Sequence, residues 1–322
     1  MKKNHFYLTL ILCILISGCF FVGCKKTDKA ADSRKNEVIV YTYDSFSGEW
    51  GAGPEIARLF EEKTGIKVTY ADCGDSGQIL SKAVLEKASP YADVLIGIDN
   101  NLSEQALESG IIYQYKPQKL DEIVPADITK ELNSGKNTVS LVPYDFSDFA
   151  FIFNTLSGLP TPTCLEDLTK PVYKNKIILM DPRTSTPGLG FKCWAEKVYG
   201  SDYDAYMKRL EPSILTMAPS WSVGYGMFTK GEAPLVISYT TSAAYHIEYD
   251  EGDQFKALKF TDGHIRQIEG ACIVKNAPNL AGAKKFMDFL ISDEAQNIIP
   301  LTQWMFPSNK NVKLPASYSA AF

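Results

Sequence analysis

The sequence predicts an α/β fold of two lobes with a ligand cleft between them. Three observations carry that expectation. Short β-branched runs alternate with stretches whose apolar residues recur at helical spacing, the pattern of α/β layers with a parallel-rich sheet. The alternation occurs twice, with a loop-rich zone between the two series. The 322 residues, 45% hydrophobic and 22% charged, have ordinary globular composition and suit two domains of roughly 100–200 residues each.

The N-terminus is an export signal. Two lysines in the first three residues precede an apolar run over 6–22, a basic n-region followed by a hydrophobic h-region. At 17 residues the run sits at the short edge of the ~17–25 needed to cross a bilayer as a helix. Two bacterial lipoprotein boxes end it, Ile16-Ser17-Gly18-Cys19 and Phe21-Val22-Gly23-Cys24. The first fits the box better. Cleavage before Cys24 leaves the polar start Lys25-Lys26-Thr27-Asp28, so Cys24 is the preferred lipidated residue and Cys19 the alternative. Either choice places the body outside the cytoplasm, held to the membrane through the lipid anchor alone. Residues 25–37 lack an apolar period and read as a flexible tether.

The first lobe begins with Val38-Ile39-Val40-Tyr41, a buried strand by residue type. A helix is expected over 54–64, with Pro54 in the first turn and Gly65 just past the end. Strand 66–70, helix 78–87 and strand 93–97 follow. Leu141-Val142-Pro143 and residues 149–153 read as separate extended segments. The second series runs strand 177–180, helices 189–199 and 203–210, and strand 235–239. A strand at 268–274 and an amphipathic helix at 281–291 close it. The expected division is 38–143 with 244–298 for lobe 1 and 144–243 for lobe 2, with 299–322 returning to lobe 2.

Charge and cysteines narrow the function. Thirty-three basic against 38 acidic residues give −5, and no basic patch suits a nucleic-acid backbone. Cys73, Cys164, Cys193 and Cys272 form no CxxC pair and are expected to be buried free thiols. Only three histidines exist, so no metal site is expected.

The chemistry sits in the turns. Asp181-Pro182-Arg183-Thr184-Ser185-Thr186-Pro187-Gly188-Leu189-Gly190 follows a strand and opens a helix, a ready anion site with Ser185 or Thr186 as the cap. A plain helix cap explains it equally well. Gly74-Asp75-Ser76-Gly77 repeats the arrangement in the first lobe, where Asp75 caps a helix or offers a carboxylate to a cation. Aromatics crowd the loops: Tyr43 and Trp50, Trp221 and Tyr225, Tyr239 and Tyr245, Trp304 and Phe306. Loop aromatics beside glycine and hydroxyl residues suit a wall for a flat, cationic ring.

Several of these stretches resemble the bacterial thiamine-binding periplasmic proteins: 40–46 with Trp50-Gly51, 97–101, 181–190, Trp221-Ser222, Tyr239-Thr240-Thr241-Ser242 with Ala244-Tyr245-His246, and Trp304-Met305-Phe306-Pro307. The resemblance spans about 38–315 and implies a type II periplasmic-binding-protein fold. It also implies a receptor that delivers thiamine, thiamine monophosphate or thiamine diphosphate to an ABC importer permease. Carried over, Asp75 and Ser76 match the first-lobe ligand contact, although glycine is usual where Ser76 stands. Ser185 and Thr186 match the phosphate-side hydroxyls. Trp221 and then Tyr239, Thr240, Thr241, Ser242 and Ala243 match the ring wall, with Tyr43, Trp50, Tyr245 and Trp304 as further lining. The family is expected to continue into a helical tail beyond the position of Phe322. Two other readings compete. Thiaminase I resembles these receptors in fold and uses a cysteine nucleophile, for which Cys73 is the nearest candidate. A receptor of this fold for another solute is the other, and the adjacent Tyr-Tyr pair common in ferric-ion receptors is absent.

Overall fold

The computed structural model describes residues 34–322. The signal run and both lipidation cysteines lie outside the described residues, as do tether residues 25–33. The last tether residues are already part of the fold. Arg34 donates to the Tyr91 carbonyl at 2.8 Å, and β1 starts at Glu37.

Eleven strands are described: β1 (Glu37–Thr42), β2 (Lys67–Asp72), β3 (Val94–Asp99), β4 (Ile112–Tyr113), β5 (Val142–Asn154), β6 (Ile177–Met180), β7 (Ile214–Ala218), β8 (Leu235–Tyr239), β9 (Phe255–Ala257), β10 (Arg266–Val274) and β11 (Phe306–Pro307). They run in the order β2-β1-β3-β10-β5-β8-β6-β7. The β1–β2 and β1–β3 pairs are parallel in lobe 1, as are β6–β7 and β6–β8 in lobe 2. Parallel strands require crossovers, and helices such as Gly53–Thr64 and Thr186–Tyr199 supply them. The type II architecture is thus two α/β lobes joined through antiparallel β5 and β10.

β5 is the hinge element. Its first half, through Asp148, pairs with β10, and from Phe149 onward it pairs with β8. The two segments expected at 141–143 and 149–153 are one 13-residue strand. Asp145, Ser147 and Asp148 in its middle hid this: Asp145 and Ser147 are buried beneath the cleft, and Asp148 lies half-buried beside Arg266 on the other face. Two hydrophobic cores flank the hinge. One holds Val38, Phe46, Phe60, Leu95 and Phe286, the other Phe151, Trp194, Tyr206 and Phe228.

The lobe boundaries depart from expectation at two places. Phe255 to Phe260 belong to lobe 2, because β9 pairs with β5 and Leu258 and Phe260 are buried in the second core. The return to lobe 1 therefore falls at Arg266, where β10 begins. The segment from Ile299 to Pro307 packs on lobe 1, since Ile299 and Met305 join its core and β11 pairs with the lobe 1 half of β5. The expected return to lobe 2 comes later, where the turn Ala316–Ala320 packs on helix Ser242–Glu248 and the Phe322 ring lies 5.0 Å from His264. The four cysteines of the body are unpaired, with Cys272 buried and the others half-buried. Among the described residues, no helix is long and apolar enough to cross a membrane.

Candidate functional site

A cavity of about 680 Å³ opens between the lobes, where the carboxyl ends of β1, β8 and the parallel strands around them meet. Such strand ends are where open α/β sheets bind ligands, and the size suits a small organic solute.

The first-lobe wall grows from the end of β1. Tyr43 leaves the strand and points beneath the cleft because Gly97, at φ +102, leaves room for its ring. A Cβ on Gly97 would meet that ring at 2.6 Å. Asp44, Ser45 and Trp50 continue the wall, with the Trp50 side chain 83% exposed at the rim. Asp75 stands at the N-cap of helix Ser76–Leu85, where its own N–H donates to Gln78 Oε1 at 3.0 Å. Its carboxylate crosses the cleft and accepts the Thr186 N–H at 2.9 Å. Burial raises the Asp75 carboxyl to about 7, against the lowering effect of that bond.

The second-lobe wall is aromatic. Helix Thr186–Tyr199 starts three residues earlier than expected, with extended Ser185 at its N-cap and Pro187 in its first turn. Ser185 is buried, and its hydroxyl stands close to the Asp75 carboxyl, whose pKa it helps to lower. Trp221 opens helix Trp221–Thr229 and is not a loop residue; the Ser220 hydroxyl caps this helix by accepting from Val223 N. The Trp221 ring stacks on Tyr225 at 4.9 Å and 18°, and its Nε1–H donates to Ser238 Oγ at 2.8 Å. Tyr239 stacks on Phe149 at 5.3 Å and donates through its hydroxyl to Gln267 Oε1. Rings fixed by packing and by a polar handle form a rigid surface. Tyr245 meets Trp304 edge-on at 5.3 Å. Trp304 sits at φ 55, in the left-handed region that costs a bulky side chain ~1–3 kcal/mol and clusters at ligand sites.

The floor is acidic. Glu269 of β10 accepts from Tyr43 OH and Tyr144 OH through Oε2, and from Gln267 Nε2 through Oε1 at 2.7 Å. Asp145 lies beside it, fully buried, and so does Asp99. Burial raises Asp99 to about 7 and raises both Glu269 and Asp145 above the usual carboxylate range. Asp44, Glu49, Asp75 and Glu269 line the cavity, and no Lys, Arg or His is among the described residues that do. Chemically, this is a receptacle for a positively charged, flat molecule.

Nine of the residues read from sequence come together on this wall: Asp75, Thr186, Trp221, Tyr239, Ser242, Tyr43, Trp50, Tyr245 and Trp304. Five do not reach it. Ser76 turns inward, its Oγ accepting from Asp99 N at 3.2 Å. Ser185 is buried behind Thr186. Thr240 and Thr241 are fully buried and pair with Ser147 Oγ at 3.1 and 3.2 Å, and Ala243 is buried in helix Ser242–Glu248. Sequence reading missed Glu269 and Gln303. A glutamate in the apolar run 268–274 was the available signal for Glu269. Gln303 carried none; its Nε2 donates to Tyr43 OH at 2.9 Å and its Oε1 is buried without a partner. Cys73 is not on the wall; its Sγ lies 3.3 Å from the Ala71 carbonyl, and burial raises its thiol pKa.

Comparison with known proteins agrees with this geometry. The family described as bacterial extracellular solute-binding protein matches residues 89–322. The thiamine-binding periplasmic protein of Brucella abortus is 38% identical over 294 residues, covering 90% of this chain and 85% of the relative. That of Escherichia coli K12 is 37% identical over 284 residues, covering 88% and 84%. Among solved structures, a periplasmic thiamin binding protein superposes with a TM-score of 0.80 at 36% identity, covering 89% of this chain and 87% of that one. A ferric binding protein from Campylobacter jejuni, at 21% identity and TM-score 0.70 over 88% and 90%, shares the fold alone.

Proposed function

This chain belongs to the thiamine-binding periplasmic proteins, within the bacterial extracellular solute-binding family, and from that membership we propose that its cleft captures thiamine for delivery to an ABC importer permease. Thiamine joins a permanently cationic thiazolium to an aminopyrimidine and a hydroxyethyl tail. The observation that carries the reading is the composition of the cavity wall: among the described residues it has fixed aromatic rings, four acids and no base. A cation over an aromatic face gains ~0.5–2 kcal/mol per contact, more when water is excluded. Trp221, Tyr239 and Trp304 supply the faces. Asp75 attracts the cation or the amino group, and the hydroxyl or phosphate tail is directed at the start of helix Thr186–Tyr199, where it competes with Asp75 for the Thr186 N–H. Thiamine monophosphate and diphosphate are further cargo of the same site, their tails directed at the start of helix Thr186–Tyr199.

Capture by a lipid-anchored protein outside the cytoplasm, through Cys24, fits the export signal. We read the protein as a receptor and not as a thiaminase, because Cys73 neither lines the cavity nor has a lowered pKa. Calorimetric titration with thiamine tests the first claim, and the absence of saturable heat removes it. Incubation with thiamine and aniline tests the second, since a thiaminase produces the base-exchange product and a receptor returns thiamine intact.

A further inference from the structure

We propose that the Glu269–Asp145 carboxyl pair under the cleft floor is the specificity-determining countercharge of this receptor: it selects a cationic ring over an uncharged ring of the same shape, and it gives up a shared proton to solvent as the cation enters. The proposal rests on the thiamine reading and assigns the selection to residues outside the ring wall.

The register of the sheet makes the pair. Glu269 of β10 stands directly opposite Asp145 of β5, and like charges opposite one another on antiparallel strands repel. Both are buried, so the ionised forms lack water as well. Burial raises both carboxyls above their ordinary values, the Glu269 charge raises Asp145 further, and two such carboxyls titrate as a unit.

The groups facing Glu269 are known from every element packed on it. Tyr43 follows β1, Tyr144 and Asp145 lie on β5, Tyr239 ends β8, Asp99 ends β3, and Gln267 lies on β10 itself. Asp75 adds a further acid from across the floor. The one base of β10, Arg266, lies on the strand's opposite face, within 4 Å of Asp127, Glu131 and Asp148. Three donors aim at the Glu269 oxygens, so its charged form is hydrogen-bonded and lacks only a cation. Glu269 lines the cavity while Asp145 lies behind it. A buried carboxylate without a cation is unstable, and the ligand ring brings the cation.

The test is calorimetric titration of the purified protein at pH 7 with thiamine and with its uncharged thiophene isostere, each in two buffers of different protonation enthalpy. The unaltered protein is expected to prefer the cation by about tenfold or more and to release up to about one proton with thiamine and none with the isostere. Glu269→Gln is expected to remove the preference and the pair's share of the proton release, leaving only what Asp75 gives up at this pH, while holding the isostere affinity within about threefold. Asp145→Asn is expected to keep the preference and lose the pair's share of the release. Identical heats in the two buffers for the unaltered protein overturn the proposal without any variant. So does a Glu269→Gln protein that loses both affinities equally, which is what a structural role gives. Failure of the unaltered protein to bind either ligand removes the thiamine reading itself, and the proposal with it.

Discussion

The carboxylate of Asp75 in one lobe accepts the backbone N–H of Thr186 in the other at 2.9 Å. It therefore sits at the helix N-terminus to which the sequence assigns the anionic tail of a ligand. A single acid closes the cleft, repels phosphate and attracts a cation. Removing its charge while keeping its acceptor oxygen separates these roles. Asp75→Asn at pH 8 is expected to weaken thiamine binding about three- to tenfold and to weaken thiamine diphosphate less. Calorimetry with both ligands measures the ratio, and an unchanged ratio removes Asp75 from tail discrimination.

Stability should depend on pH in an unusual direction. The Asp75 and Asp99 carboxyls both stand at about 7 in the folded protein, raised chiefly by burial from an ordinary value of 3.8. Between those values the folded chain binds protons that the unfolded chain has released, so unfolding free energy falls as pH rises through the window. Thermal melts of the empty protein are expected to shift upward from pH 8 to pH 5.5. Asp99→Asn should flatten that slope, since the amide oxygen still accepts from Asn101 N and Leu102 N.

Trp221→Ala removes one face of the ring wall, along with the stack on Tyr225 and the bond to the Ser238 hydroxyl. The expected loss of thiamine affinity is about ten- to thirtyfold, or roughly 1–2 kcal/mol. An unchanged affinity by calorimetry means the ring lies elsewhere.

Trp304 offers a split between binding and folding. Its φ of 55 is strained for tryptophan and free for glycine. Trp304→Gly is expected to weaken binding about tenfold, yet to destabilise the protein by less than the ~3–5 kcal/mol usual for deleting a buried aromatic. Denaturant unfolding beside a binding titration distinguishes the two effects.

Much of the fold was legible because its strands are apolar runs. β1, β6 and β8 lie where Val38, Ile177 and Leu235 and their neighbours indicate. What hid was polar for a reason. The middle of β5 carries Asp145 and Ser147 inward to the cleft floor, so its alternation resembles a loop. The edge strand β7 is half-exposed and lacks a continuous apolar run. At the site, residues in glycine-rich turns such as Asp75 and Thr186 could be read locally. Glu269 could not, because its role comes from strand pairing with Asp145, a partner more than a hundred residues away. Ser76, Thr240 and Thr241 carry the right chemistry and spend it on the fold behind the wall.

The central claim is that rings on both sides of one cleft close on thiamine. Intrinsic tryptophan fluorescence tests it most directly, because Trp50, Trp221 and Trp304 line the cavity while Trp194 is fully buried in the lobe 2 core. Titration with thiamine, its monophosphate and its diphosphate is expected to quench the emission saturably, with about one ligand bound per chain. Emission that stays unchanged with all three ligands would contradict the account.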